Sequence, residues 1–340
     1  MALPIIGNLT AEDDYPHSVE AVGNFNESAL FHYAGHDEAG QLLGGLIRVA
    51  NRPNEGYAEC TILVWLPDGS ALFNFERPSI EGNERWYASG WKIDVIEPGG
   101  VLFRTRFEGS VLNLRNPRLM AEPKAAFKEP RVQLNFDLRH AGKAPLTEFK
   151  HHRALDTPEE RERYGTSGLQ QLTKCFGSLE IDRERRYQIQ GFGWRDHNWG
   201  PRNWQGMTNH TFLTGNFGEE EGFSLYSTID GHGYYFHRGR DLIIEVATLA
   251  IETECAQGTA EPERIRATIE LANGERHEIV GRQKGYMPLR NRREGMVTTL
   301  GYSLWEYVLD GNHHGIGLGE FLSQSWATDG AQYYKERRDA

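Results

Sequence analysis

Apolar and polar residues alternate with a strict period of two in several stretches of the chain. Val132, Leu134, Phe136 and Leu138 alternate with Arg131, Gln133, Asn135, Asp137 and Arg139. Ile265, Ala267, Ile269 and Leu271 alternate with Arg264, Arg266, Thr268 and Glu270. Val101, Phe103, Thr105 and Phe107 do the same against Leu102, Arg104, Arg106 and Glu108. Successive side chains of a strand point to opposite faces, so each stretch predicts a strand with one face on a core and one in water. Asp68-Gly69, Asn273-Gly274 and Asp310-Gly311 supply hairpin-turn chemistry between such runs. The sum is antiparallel sheet rather than βαβ units.

Only Thr157-Pro158-Glu159-Glu160 carries clear helix-start signals: an N-cap, a proline in the first turn and acids at the positive end of the dipole. It follows the polar stretch Ala141 to Arg153, which places a domain boundary near the middle with the helix as connector. We divide the chain into β domains at residues 1–175 and 176–340, the second carrying the segment discussed below. A sandwich and a barrel whose interior holds a ligand both fit this pattern.

Composition narrows the function. The 340 residues are 39% hydrophobic and 25% charged, with 8 Trp, 14 Tyr, 16 Phe and 38 Gly, which suits strands and tight turns. A net charge of −11 argues against nucleic acid or an anionic membrane as partner. Cys60, Cys175 and Cys255 have no close spacing, which excludes a disulfide framework, a CxxC pair and a cysteine zinc site. Met1 to Asn8 lacks the marks of a signal peptide, and no run of about 18 apolar residues exists, so the expectation is a cytoplasmic protein with no integral membrane segment.

Chemistry concentrates in Gly191-Phe192-Gly193-Trp194-Arg195-Asp196-His197-Asn198-Trp199-Gly200-Pro201-Arg202-Asn203-Trp204. On a strand, Phe192, Trp194 and Asp196 share one face, while Ile189, Gly191, Gly193, Arg195 and His197 share the other. Asp196 and His197 then enter one cavity only if the strand breaks or bulges. One reading is a structural corner in which Asp196 meets backbone donors and Arg195 and Arg202 form ion pairs. The other is an aromatic pocket, walled by Trp194, Trp199 and Trp204, with a proton donor. An Asp among tryptophans is desolvated and holds its proton, and Trp faces stabilise a developing carbocation.

The stretch Gly193 to Arg202, with Gly315-Ile316-Gly317-Leu318-Gly319-Glu320-Phe321-Leu322, resembles the hydroxyneurosporene synthase (carotenoid 1,2-hydratase) family of lipocalin-like proteins. The resemblance implies an all-β fold of two tandem lipocalin-like barrel or sandwich domains, with a ligand site near their junction. It also implies cofactor-free hydration or cyclisation of hydrophobic substrates. Asp196, as acid, and His197 and Trp199, as its helpers, are the roles carried over.

The other histidines give no metal expectation: there is no HExxH, and His313-His314 and His151-His152 sit in polar stretches. No Gly-x-Ser-x-Gly elbow, phosphate loop or dinucleotide fingerprint occurs. We therefore expect no cofactor, and a lyase or isomerase (hydratase, dehydratase or cyclase) that protonates an isoprenoid, terpenoid or steroid-like substrate. A lipocalin-like carrier of the same molecules is the alternative, and a carbohydrate-active protein the third reading. Association into a homodimer stays open.

Two further carboxylates stand on apolar strand faces: Glu306 with Leu300, Tyr302, Leu304 and Val308, and Glu320 with Ile316, Leu318 and Leu322. A loop over residues 311–315 would set Glu306 opposite Glu320, where two acids in a dry interior share a proton and act as a general acid beside Tyr302. The alternative is that each meets an arginine.

Overall fold

The computed structural model describes residues 3–19, 25–149, 167–201, 209–228, 231–293 and 296–326. A first sheet contains β1 (Ile5–Ile6), β2 (Phe25–His36), β3 (Leu42–Arg52), β4 (Tyr57–Trp65), β5 (Ala71–Glu76), β6 (Trp86–Ala88), β7 (Trp91–Glu97), β8 (Leu102–Leu114), β9 (Arg131–Gly142), β10 (Leu146–Glu148), β11 (Ser167–Ile181) and β12 (Arg185–Pro201). A closed barrel follows, of β13 (His210–Asn216), β14 (Glu221–Thr228), β15 (Gly231–Arg238), β16 (Leu242–Cys255), β17 (Pro262–Leu271), β18 (Arg276–Arg293), β19 (Met296–Leu309) and β20 (His313–Trp326).

The alternating stretches are strands β8, β9 and β17, and their apolar faces are buried at Phe103, Phe107, Leu134, Phe136, Leu138, Ile265, Ala267 and Ile269. The expected turns join β4 to β5, β17 to β18 and β19 to β20, with positive φ at Gly69, Gly274 and Gly311. Helix is confined, among the described residues, to the short turns Ala11–Asp14, Pro117–Ala121 and Pro123–Ala126. The helix expected at Thr157 lies outside the described residues. No described helix is long and apolar enough to cross a membrane.

β9 pairs with both β8 and β11, so the first sheet also closes, through β2, β3, β4, β5, β8, β9, β11 and β12. This ring corrects the expected division of the chain. Residue 175 falls inside β11, and β12 pairs with β11 from Arg185 to Trp199 and with β2 from Gln190 to Pro201. The hairpin β11–β12 is what closes the first ring, so that ring runs to Pro201 and the second begins at His210. The Arg195–Trp199 segment therefore belongs to the first ring.

Each ring is filled by its own side chains. Phe31, Tyr33, Ile47, Ile62, Trp91 and Phe136 belong to the first core. Leu213, Phe223, Phe236, Ile269, Trp305 and Tyr307 belong to the second. There the glycine face of β20 makes room: Gly317 stands opposite Trp305 and Gly315 opposite Tyr307. A ligand-holding lumen is not what the described residues form.

A third cluster joins the rings by their outer walls. Trp65, Trp194 and Leu46 meet Phe212, Met287, Tyr302 and Leu304 there. A bulge in β18 between Gln283 and Gly285 presents Gly285 to the Trp65 indole, whose Cδ1 lies 2.6 Å from where a Cβ would stand. Fully burying an aromatic of this kind is worth roughly 2–3 kcal/mol, so the wall is a substantial part of what docks the rings.

Candidate active site at the junction of the two rings

β12 shows no register shift against either neighbour, so strand parity holds throughout. Trp194 and Asp196 face the second ring; Arg195 and His197 face the first core. The two residues expected to cooperate, Asp196 and His197, are on opposite sides of one strand.

Arg195 is a correction to the expected substrate-binding role. It is 2% exposed, and its Nη2 pairs with Asp14 Oδ1 at 2.6 Å. Its Nε donates to Gln171 Oε1 at 3.0 Å, and its guanidinium lies 4.0 Å from the centroid of the Phe103 ring. This charge anchors the Ala11–Asp14 turn to the first ring. His197, 1% exposed, joins the same end of the ring: Nδ1 lies 2.7 Å from the Asp13 carbonyl oxygen and Nε2 2.7 Å from Glu27 Oε1. Glu27 Oε1 is also 2.6 Å from His17 Nδ1, and His17 Nε2 is 3.0 Å from Asp13 Oδ1. Burial opposes ionisation of Glu27, but its close contacts with His17 and His197 outweigh it and hold the carboxyl at about 2. Trp199 stacks on His17 with ring centroids 4.0 Å apart. His17, Glu27 and His197 are thus the described residues able to hold a metal ion, their ligand atoms all within 4.8 Å of one another.

The outer face builds a different site. Asp196 Oδ2 accepts from Asn198 Nδ2 at 2.7 Å. Beside it the Trp194 indole donates to Gln170 Oε1 at 3.2 Å, and its ring lies 4.8 Å from Phe212 and 5.1 Å from His32. Tyr226 and Tyr234 continue the aromatic wall, with centroids 5.4 Å apart, and Phe149 lies 5.7 Å from Tyr234. Alternation with the buried Phe236 would turn Tyr234 inward, but its φ of +97° turns it out beside Tyr226. Backbone of that kind in a bulky residue costs on the order of 1–3 kcal/mol and concentrates at functional sites. Burial, then the neighbouring Tyr226 and Asp196, push the Tyr234 hydroxyl far above its ordinary range.

Glu320 belongs to this wall. Its Cα partners are Tyr302 on one side and Phe212 on the other, and Oε1 lies 3.1 Å from Nε2 of the buried His32. Tyr302 is buried in the same cluster. The expected Glu306–Glu320 pair is corrected. Leu309 pairs with His313, so the turn is three residues long and Glu306 stands opposite Ile316. The Glu306 side chain is 45% exposed and meets Lys284 at 3.2 Å. A shared proton between the two acids is excluded by this register. Arg202 and Trp204 lie outside the described residues.

A family profile matches residues 10–325. The chain belongs to the DUF7064 family, a domain of unknown function. No curated protein matches it in sequence. Solved structures do. A protein assigned as AttH from Nitrosomonas europaea is 14% identical with a TM-score of 0.62, covering 94% of this chain and 98% of its own. CghA with Sch210972 is 12% identical with a TM-score of 0.53, covering 97% and 96%. Kievitone hydratase from Nectria haematococca is 12% identical with a TM-score of 0.51, covering 95% and 94%. At such identity the likeness is one of fold, and it agrees with two lipocalin-like all-β domains.

In this DUF7064 chain two clefts among the described residues lie away from Asp196 and His197. One, of about 360 Å³, is lined by residues of the Ser79–Ser89 loop, and the other, of about 250 Å³, opens between the rings at Leu42, Trp65, Leu304 and Glu306. Sequence reasoning missed His17, Glu27, His32, Tyr226 and Tyr234. Only Tyr234 carried a signal, the glycines at 231 and 233 that relax the backbone before it. His17 lies in an aperiodic segment, and Glu27 and His32 gain meaning only once β2 is set beside β12.

Proposed function

We propose that the DUF7064 junction is an active site for proton-initiated hydration, dehydration or cyclisation of a hydrophobic, isoprenoid- or steroid-like substrate. The observation that carries this reading is Asp196 on the outer face of β12, in one wall with Trp194, Phe212, Tyr226 and Tyr234. A carboxylic acid among aromatic rings is desolvated, and that favours its protonated form. Delivered to an alkene or an alcohol, its proton leaves a carbocation, which ring faces stabilise and from which they exclude water until capture. Addition of water or loss of a proton ends the reaction, with the His32–Glu320 pair in the same wall as acceptor of the released proton. The kievitone hydratase and the Sch210972 complex of CghA, similar in fold, lend support.

The test is to recover co-purified ligand by native mass spectrometry and follow its conversion by the chain and by Asp196→Asn. The amide keeps the shape and removes the acid. Turnover should fall by about 10²-fold or more while ligand binding survives. An unchanged rate would leave Asp196 structural, binding without turnover would leave the chain a carrier, and a bound glycan would overturn the substrate class.

A further inference from the structure

We propose that His17, Glu27 and His197 form a binding site for one divalent transition-metal ion of the zinc class, tying the N-terminal segment to the rim of the first ring. The argument is a count of protons. A carbonyl oxygen only accepts, so His197 Nδ1, 2.7 Å from the Asp13 carbonyl, carries a hydrogen. His17 Nε2, 3.0 Å from Asp13 Oδ1, donates in the same way. In its neutral form each imidazole has one N–H, and in that form both rings spend it on Asp13. The remaining nitrogens, His17 Nδ1 and His197 Nε2, then present lone pairs, and both aim at the same acceptor, Glu27 Oε1, at 2.6 and 2.7 Å.

Three electron-pair donors converging in a buried place need positive charge between them. Two extra protons would supply it, and so would one divalent cation. The surroundings match the second. Metal-bound histidines characteristically give their other N–H to a carboxylate or a backbone carbonyl, which fixes tautomer and ring orientation. Asp13 does this for both rings, with its side chain for His17 and its carbonyl for His197. Glu27 is held in turn by Asn83 Nδ2 and by the His17 backbone N–H, 2.9 Å from each oxygen. Two imidazole nitrogens and one carboxylate oxygen form a ligand set that suits zinc and its neighbours. Bonds of about 2.0–2.1 Å around a tetrahedral ion set its ligand atoms roughly 3.4 Å apart, so each nitrogen must draw back from Glu27 Oε1 by about 0.7 Å. His17 is the member that can give, since its side chain is 24% exposed while Glu27 and His197 are enclosed. That same edge leaves a fourth position for water. The site lies on the lumen side of β12, apart from the junction chemistry, and does not depend on it.

The experiment uses the full chain, stripped with chelator and dialysed. Zinc chloride is titrated in by calorimetry, and cobalt(II) uptake is followed by its visible absorption bands. We expect one ion per chain, with a dissociation constant on the order of micromolar or tighter, and cobalt bands of low-symmetry nitrogen and oxygen ligation. His17→Ala, at the exposed edge, should retain the far-ultraviolet circular dichroism of the parent and weaken zinc at least 10-fold. Bound zinc should slow proteolysis within residues 8–19 of the parent and leave His17→Ala unprotected. A parent chain that takes up neither ion stoichiometrically overturns the site, and so does uptake that His17→Ala leaves unchanged.

Discussion

Replacing Arg195 by Met tests whether this residue is structural, as its burial says, or a contact for substrate. Arg195 Nη2 and Asp14 Oδ1 are 2.6 Å apart, and the two side chains are 2% and 0% exposed. Two unit charges about 4 Å apart attract by about 4 kcal/mol at an effective dielectric near 20. Methionine keeps much of the volume but leaves the charge of the buried Asp14 with only a neutral donor, the Gly100 N–H at 2.8 Å, in place of the guanidinium. Breaking one side of a buried pair costs about 3–5 kcal/mol, and loss of the Phe103 contact at 4.0 Å adds to it. Against a total stability of roughly 5–15 kcal/mol this is a large fraction. Urea unfolding followed by tryptophan fluorescence should show a loss near 4 kcal/mol in Arg195→Met. The double variant Arg195→Met with Asp14→Asn should lose less than the sum of the two singles by about 2 kcal/mol, because neither charge is then stranded. A single variant that costs under about 1 kcal/mol while KM rises would refute the structural role and return Arg195 to the substrate.

Two further perturbations probe the cores. His140 is fully buried, with Nε2 2.9 Å from Thr105 Oγ1; burial, and then the Arg195 charge, pull its pKa down from 6.5 to about 3. Between those values the unfolded chain holds a proton that the folded chain refuses, so stability is full above pH 6.5 and falls as the pH drops, by about 2 kcal/mol from pH 6.5 to 5. Urea midpoints across this range should fall less steeply in His140→Phe than in the parent, and parallel slopes would count against the assignment. At the ring junction, Gly285→Ala puts a Cβ 2.6 Å from Trp65 Cδ1 and 2.9 Å from Cγ, atoms of a 2% exposed indole with no flexible end. Overpacking of this kind costs about 1–3 kcal/mol, and an unchanged urea midpoint would show that the indole is free to move.

Local pattern made the strands, their faces and their turns legible, because alternation and turn chemistry act over a few residues. What it left hidden depends on pairing between distant segments. A turn of residues 310–312 instead of a five-residue loop moves every partner of β20 by four, replacing Glu306 by Tyr302 opposite Glu320. The division of the chain failed for a similar reason. Polar composition after Ala141 looked like a linker, while the β11–β12 hairpin beyond it is needed to close the first ring. Tyr234 escaped because one residue of positive φ breaks the parity that the rest of β15 obeys.

The two candidate sites are consequences of one ladder. β2 and β12 lie side by side, with Trp194 opposite His32, Asp196 opposite Leu30, and Trp199 opposite Glu27. Parity on both strands then sends Glu27 and His197 into the first ring and His32, Trp194 and Asp196 to the junction. Because the period is two, a slip of one residue on β12 would exchange the sets, driving Asp196 into an apolar core and pulling His197 away from Glu27. Close backbone approach resists that slip: a Cβ on Gly193 would stand 2.2 Å from the His32 carbonyl oxygen, so a larger residue cannot take this place in the ladder. The space beside Gly191 and Gly193 is filled by the backbone of the neighbouring strand. The work of these glycines is to hold a register that keeps an acid among aromatic rings on one side and two imidazoles around a carboxylate on the other.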